Sequence, residues 1–184
     1  MATAVVEKVK YTYEDYLKTP DDERYELIEG DMIMTPSPVT KHQRISRKIE
    51  FILEKFVTEN NLGEVFDAPC DVYLDEKNVV QPDILFISKD RLDIIGEKNI
   101  QGAPDLTIEI LSETTAHRDL VKKKRLYAKF GVKEYWIIDP EERIAEIYTL
   151  RGDTFFLTNS LSVNDTLEST ILLDLKIRLS DIFN

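Results

Sequence analysis

EVFDAPCDVYLDEKNVVQPDILFIS, residues 64–88, decides the fold class. Two extended runs, 64–75 and 78–88, are rich in Val, Ile, Phe and Tyr and are joined by the polar stretch DEKN (75–78), which suits a hairpin turn. Runs this close in sequence pair antiparallel, because a parallel pair needs a crossover of roughly a dozen residues or more. That excludes a doubly wound sheet and predicts a mixed α/β (α+β) domain. Upstream, TYEDYLKT (12–19) predicts a short helix and RYELIEGDMIMTP (24–36) an N-terminal hairpin about Gly30-Asp31. TPSPVTKHQ (35–43) is a Pro-broken loop leading into the clearest helix, about 40–60. There Ile45, Ile49, Ile52, Leu53, Phe56 and Val57 recur at three- and four-residue spacing, with Ser37 or Thr40 as the expected cap. Downstream follow a strand at 105–112, a helix at about 116–130 closed by Gly131, and a strand at 133–139. A hairpin about Arg151-Gly152-Asp153, a strand at 165–173 and a short helix within 175–183 complete the chain.

The 184 residues are 42% hydrophobic and 32% charged, the composition of one ordinary globular domain, expected over 1–184. No apolar run is long enough for a transmembrane helix, and the N-terminus has no long apolar stretch of a secretory signal. One cysteine, Cys70, excludes an internal disulfide and a multi-cysteine zinc site, so a cytoplasmic protein is expected. The net charge of −11 disfavours indiscriminate binding to nucleic acid. The cations are nevertheless clustered, in KHQRISRK (41–48) and HRDLVKKKR (117–125). A basic face on an acidic body and two solvated helix surfaces both fit that pattern.

Three polar residues fall where apolar ones belong. In 78–88, strict alternation puts Val80, Pro82, Ile84 and Phe86 on one face and Val79, Gln81, Asp83, Leu85 and Ile87 on the other. Pro82 cannot donate to a ladder, so pairing breaks just before Asp83. In 105–112, Glu109 shares a face with Thr107 and Leu111, opposite Leu106, Ile108 and Ile110. In the helix at 116–130, Lys123 lies on the stripe of Leu120 and Tyr127, whereas Lys122 points elsewhere and Lys124 sits at the stripe's edge. An unpaired buried ion costs several kcal/mol, so the three call for a common explanation. A divalent cation such as Mg²⁺ held by Asp83 and Glu109, with Lys123 reaching the same place, supplies one, and its chemistry is metal-assisted phosphodiester hydrolysis. The alternative is structural: an Asp83–Lys123 salt bridge, with Glu109 at a solvated sheet rim. No Gly-x-Ser-x-Gly elbow or phosphate-binding loop is present, and Ser112-Glu113-Thr114-Thr115 reads as a cap and turn. Trp136 is expected in the core, Cys70 as a small buried side chain, and Glu134, Asp139, Glu141 and Glu142 as solvated strand ends.

Pro82-Asp83, then Glu109, then Lys123 resembles the PD-(D/E)XK nuclease superfamily, whose core is restriction-endonuclease-like. Over 11–183, the pieces RYELIEGDMIM, SPVTKHQRI, VVQPDILFIS, PDLTIEILS, HRDLVKKKRLYAKFGVKEYWIIDP and TILLDLKIRLSDIF are similar to the Uma-two family of endonucleases. The resemblance implies a mixed central β-sheet flanked by helices, with an N-terminal hairpin and extra C-terminal strands. It also implies a DNA endonuclease dependent on Mg²⁺ or Mn²⁺, with nucleic acid, DNA above all, as partner, no membrane, and a homodimer. The alternative is an inactive nuclease-fold module that binds nucleic acid or protein. The metal carboxylates carry over onto Asp83 and Glu109. The superfamily's usual lysine position, two after the second acid, is Leu111 here, and the family's helical lysine falls on Lys123, which the stripe had selected independently. The family's early acid falls on Glu26, which otherwise reads as a hairpin surface residue. His42 matches a family histidine that could hold a phosphate or water, or simply be a satisfied residue at a helix start. Gln81, on the Asp83 face, is a candidate contact to substrate or to the attacking water. Tyr127 is expected to pack on the sheet.

Overall fold

The computed structural model describes residues 9–20, 22–112 and 118–184, with the side chains of 118–120 excepted. The chain runs α1 (Tyr13–Tyr16), β1 (Tyr25–Ile28), β2 (Asp31–Met34), α2 (Thr40–Asn60), β3 (Gly63–Asp67), β4 (Val72–Asp75), β5 (Asn78–Val80) and β6 (Ile84–Ser88). After a 3-10 stretch, Lys89–Ile94, come β7 (Ile100–Gln101), β8 (Leu106–Ile110), α3 (Arg118–Phe130) and β9 (Glu134–Asp139). The C-terminal part adds β10 (Ile144–Arg151), β11 (Thr154–Ser162), β12 (Thr166–Glu168), β13 (Lys176–Arg178) and α4 (Leu179–Phe183). No helix among the described residues is long and apolar enough to cross a membrane.

Two sheets carry the fold. One has six strands in the order β11-β10-β9-β8-β6-β3, antiparallel except for the β8–β9 pair, which α3 joins. The other has five strands in the order β2-β1-β5-β4-β7. The expected mixed α/β class is therefore what the chain forms, but the deciding stretch is spread over both sheets. Each extended run splits at a proline, where the ladder loses a donor. Residues 63–67 pair antiparallel with β6 in the six-stranded sheet, and 72–75 pair antiparallel with β5 in the five-stranded one. Crossing between sheets at Gln81-Pro82 also breaks the alternation expected for 78–88. Val80 packs with Leu85 and Ile87, not with Ile84 and Phe86.

α2 lies on one face of the six-stranded sheet. Its Ile45, Ile49, Leu53 and Val57 pack against Ile84, Phe86, Ile108, Ile110 and Trp136. Neither Ser37 nor Thr40 caps it; Val39 holds that position without a side-chain bond. α3 covers the opposite face, packing Leu126, Tyr127 and Ala128 against Leu85, Ile87 and Tyr135, and against Ile28, Val72 and Val80 of the second sheet. Gly131 at φ +85° ends it, and Val132 N–H donates back to the Tyr127 carbonyl at 3.0 Å, the left-handed closure its glycine permits. The first hairpin turns one residue earlier than expected, at Glu29-Gly30, both with positive φ, so that Ile28 faces Asp31 across a two-residue loop.

Three further expectations change. The stretch 165–173 is a strand only over 166–168, because Ser169 Oγ and the Thr170 N–H and hydroxyl turn to the Glu134 carboxylate instead of a neighbouring strand. Glu134 is accordingly no solvated strand end: it is fully buried and also accepts the Trp136 indole N–H at 2.7 Å. Cys70 is half-buried, not enclosed. Glu113, Thr114, Thr115 and His117 lie outside the described residues, as does the side chain of Leu120.

Candidate active site

β1, the β5–β6 crossing, β8 and α3 meet at the floor of a cleft of about 660 Å³, whose walls come from the loop after β2, the start of α2 and the β9–β10 turn. Each element delivers one side chain for a local reason. Pro82 ends the ladder, so Asp83 stands one step ahead of β6. Since Ile84 faces Ile108 in the antiparallel register, Asp83 comes level with Glu109. Asp83 Oδ2 accepts the Ile110 N–H at 2.7 Å and contacts His42 Nε2 at 3.1 Å, which anchors one oxygen of the carboxylate. No described residue hydrogen-bonds Oδ1, and Asp83 lines the cleft.

Glu109 is 7% exposed, Lys123 8% and Glu26 5%, so all three are interior groups. The Lys123 ammonium lies 3.0 and 3.1 Å from the two Glu109 oxygens and 2.8 Å from Glu26 Oε1. Its neighbours behave as the helical stripe predicts: Lys122 turns to Asp31 at 3.7 Å and Lys124 covers the Tyr148 ring at 3.3 Å. The structure therefore brings together Asp83, Glu109, Lys123, Glu26 and His42. It does not form the Asp83–Lys123 bridge with a solvated Glu109 that the structural alternative required, since Lys123 pairs with the other two acids and Glu109 is enclosed.

Gln81 lines the same cleft and is tied into the protein around it. Its backbone N–H donates to Glu26 Oε1 at 2.7 Å, and both ends of its amide are engaged by protein, by Arg24 Nε at 3.0 Å and by Asp71 Oδ1 at 2.7 Å. It ties Glu26, Arg24 and Asp71 together. Tyr127 packs against Tyr135 as expected, but its hydroxyl also donates to Glu109 Oε1 at 2.6 Å. Its position one turn after Lys123 on the same stripe was the available signal. The parts played by Arg24, Asp71 and Tyr16 were not legible, because they depend on contacts between segments far apart in sequence.

Charge is unevenly settled here. Burial pushes the Glu109 carboxyl up to about 7; Lys123 and the Tyr127 hydroxyl oppose this, while Asp83 and Glu26 reinforce it. Lys123 faces the same burial, yet Glu109 and Glu26 hold it charged, above its ordinary value. One ammonium shared between two carboxylates, with a third nearby, is secured by both, whereas each acid has only part of it. For His42, burial disfavours the imidazolium, but the Asp83 hydrogen bond and charge outweigh it and raise its pKa.

A carboxyl raised on folding takes up protons as the chain folds. Between about 4.5 and about 7 the folded state therefore holds more protons than the unfolded one, and stability falls as pH rises. Glu109→Gln is expected to flatten that part of the metal-free stability–pH curve. At pH 8 it should match or exceed wild type, by on the order of 1–2 kcal/mol. Chemical denaturation at pH 5 and pH 8 measures both; a loss of stability at pH 8 would show Glu109 to be chiefly an ion-pair partner.

The donor set suits a small hard cation. Among the described residues no three or more His, Cys, Asp or Glu side chains are gathered as a ready-made cage. Mg²⁺, however, binds through one or two carboxylates and completes its shell with water and phosphate oxygens. Asp83 Oδ1 on the cleft, with Glu109 level with it and also lining the cleft, fits that requirement.

A family model described as "Uma2: Putative restriction endonuclease" matches residues 12–180. The chain belongs to the Uma2 family. A crystal structure described as a putative nuclease belonging to DUF820, from Anabaena variabilis ATCC 29413, superposes on this Uma2 chain with a TM-score of 0.78 at 23% identity. The match covers 94% of this chain and 97% of that one and shows a shared fold. No curated protein matches the chain. Membership assigns this Uma2 protein a nuclease function in general terms.

Proposed function

We propose that the protein is an endonuclease that hydrolyses phosphodiester bonds, DNA in the first place, using Mg²⁺ or Mn²⁺ held by Asp83 and Glu109. The observation that carries this is the pair of interior carboxylates, Glu26 and Glu109, about the Lys123 ammonium, with Asp83 level with Glu109 at the floor of the same cleft. When bound, the cation supplies Lewis acidity to a phosphoryl oxygen and acidifies water. The protein supplies the rest. The Ile110 N–H and His42 fix one Asp83 oxygen and so direct the other. Tyr127 and Lys123 hold Glu109, and Gln81 N–H holds Glu26 beneath Lys123. Lys123 is held between Glu26 and Glu109; with a cation on Glu109 it would keep Glu26 and could turn its other N–H donors to the attacking water or a phosphoryl oxygen. Water attacks phosphorus and gives up a proton to solvent, the bond to the leaving sugar oxygen breaks, and that oxygen takes a proton from solvent, leaving a phosphate monoester end and a hydroxyl end.

Incubation of the purified protein with supercoiled plasmid, single-stranded DNA and RNA, in Mg²⁺, Mn²⁺ or EDTA, tests the reading. Cleavage of at least one substrate that EDTA stops is the expected result. No cleavage, together with no effect of divalent ions on the melting temperature, would overturn it in favour of a nuclease-fold binding module.

A further inference from the structure

Residues 24, 26 and 28 project to one side of β1, and all three line the cleft. Glu26 is accounted for by Lys123, and Ile28 by the core. Arg24 is half-buried and no part of the proposed mechanism uses it.

Its orientation is set by a chain of hydrogen bonds with only one consistent polarity. Asp71 is an acceptor only, and its Oδ1 receives the Tyr16 hydroxyl at 2.8 Å and Gln81 Nε2 at 2.7 Å. Burial, with Asp71 beside it, holds the Tyr16 phenol well above its ordinary pKa, so it remains a donor. The Gln81 amide must therefore turn its nitrogen to Asp71 and its oxygen away, where it accepts Arg24 Nε–H at 3.0 Å. This pins the guanidinium by Nε and leaves both Nη groups without a partner among the described residues.

The other cations of the region are already engaged. Lys41 meets Glu141 at 2.6 Å, His42 meets Asp83, Lys122 meets Asp31, and Lys123 meets Glu26 and Glu109. Arg24 is thus the cleft cation with no carboxylate partner among the described residues. The cleft needs one. Three carboxylates are balanced by Lys123 and a divalent ion together, which leaves the charge of an entering phosphodiester uncompensated. A planar guanidinium presenting parallel N–H pairs is the side chain suited to two phosphate oxygens.

We infer that Arg24 is the substrate-phosphate clamp of this cleft, contacting non-bridging oxygens of the nucleic-acid backbone, and that Gln81, held by Asp71 and Tyr16, is its positioning residue. The inference rests on the nuclease reading above.

Fluorescence anisotropy of a labelled oligonucleotide, titrated in Ca²⁺ across a salt series, tests it. Arg24→Ala is expected to weaken binding about tenfold or more and to flatten the dependence of log K on log salt by roughly 0.7–0.9, one phosphate contact. Arg24→Lys keeps the salt slope while recovering only part of the affinity. Gln81→Leu weakens binding with the slope unchanged, because the charge remains but is no longer aimed. If Arg24→Ala fails to fold, Arg24→Gln against Arg24→Lys makes the same comparison. Wild-type binding with affinity and slope unchanged in the neutral variant overturns the clamp and leaves the nuclease reading standing. No wild-type binding and no wild-type cleavage overturns both.

Discussion

Replacing Asp83 by Asn is expected to lower phosphodiester cleavage roughly a thousandfold and to abolish the rise in melting temperature that Mg²⁺ gives the wild type. The first figure follows from the several kcal/mol that a metal contributes to the transition state, at about 1.4 kcal/mol for each factor of ten. The second follows from mass action: an ion at a hundred times its Kd stabilises by about 2.7 kcal/mol, or roughly 5–10 °C for a domain of this size. The substitution suits the purpose because an Asn oxygen can still accept the Ile110 N–H that Asp83 Oδ2 receives at 2.7 Å. The metal-free protein should change little in stability, since the substitution removes one of the charges that push the Glu109 carboxyl up and, with it, the carboxylate partner of His42. A folded Asp83→Asn variant that cleaves at the wild-type rate would remove Asp83 from the chemistry, and one with the wild-type Mg²⁺ shift would remove it from the metal site.

The readability of this chain in advance varied with the range of the interactions. Lys123 was selectable because helical periodicity is local: the spacing to Tyr127 specifies which lysine of KKK turns inward, and the ammonium lies where that rule puts it. Glu109 was selectable because strand alternation is equally local, and its burial follows. Asp83 was singled out on a premise that only partly held. Strict alternation holds only within one strand, whereas the chain changes sheets at Gln81-Pro82, and Asp83 owes its place to that break as much as to its parity. Glu134 was misread because its partners, Ser169 and Thr170, lie 35 and 36 residues away and nothing local announces them. The partners of Gln81 are hidden for the same reason: Arg24 and Asp71 are 57 and 10 residues from it, and only the fold shows its amide to be engaged by them.

Replacing Lys123 by Met is the substitution expected to damage the fold most, by about 3–5 kcal/mol at neutral pH without metal. The side chain is apolar and of similar length, so packing along α3 survives; what is lost is the only ammonium touching Glu26 and Glu109 among the described residues. Two interior carboxylates are then left facing each other and Asp83, and their uncompensated charge accounts for most of the cost. The penalty should depend on pH with a definite sign. Without the lysine, which lowers the Glu109 pKa, that carboxyl moves above about 7. Its protonation then relieves the strain, so the deficit against wild type shrinks as pH falls and grows as it rises. Two partial rescues follow. Adding Glu109→Gln removes one of the stranded charges, so the double variant should be more stable than Lys123→Met alone, a departure from additivity of about 1–3 kcal/mol between contacting groups. A divalent ion should also restore more stability to Lys123→Met than it gives to wild type, because it substitutes for the missing charge at Glu109. Urea titrations of the four proteins of this cycle, at pH 5.5 and pH 8 and with and without Mg²⁺, measure each of these quantities. A Lys123→Met deficit below about 1 kcal/mol, or one that is the same at both pH values, would mean that the lysine is not what keeps the acids charged.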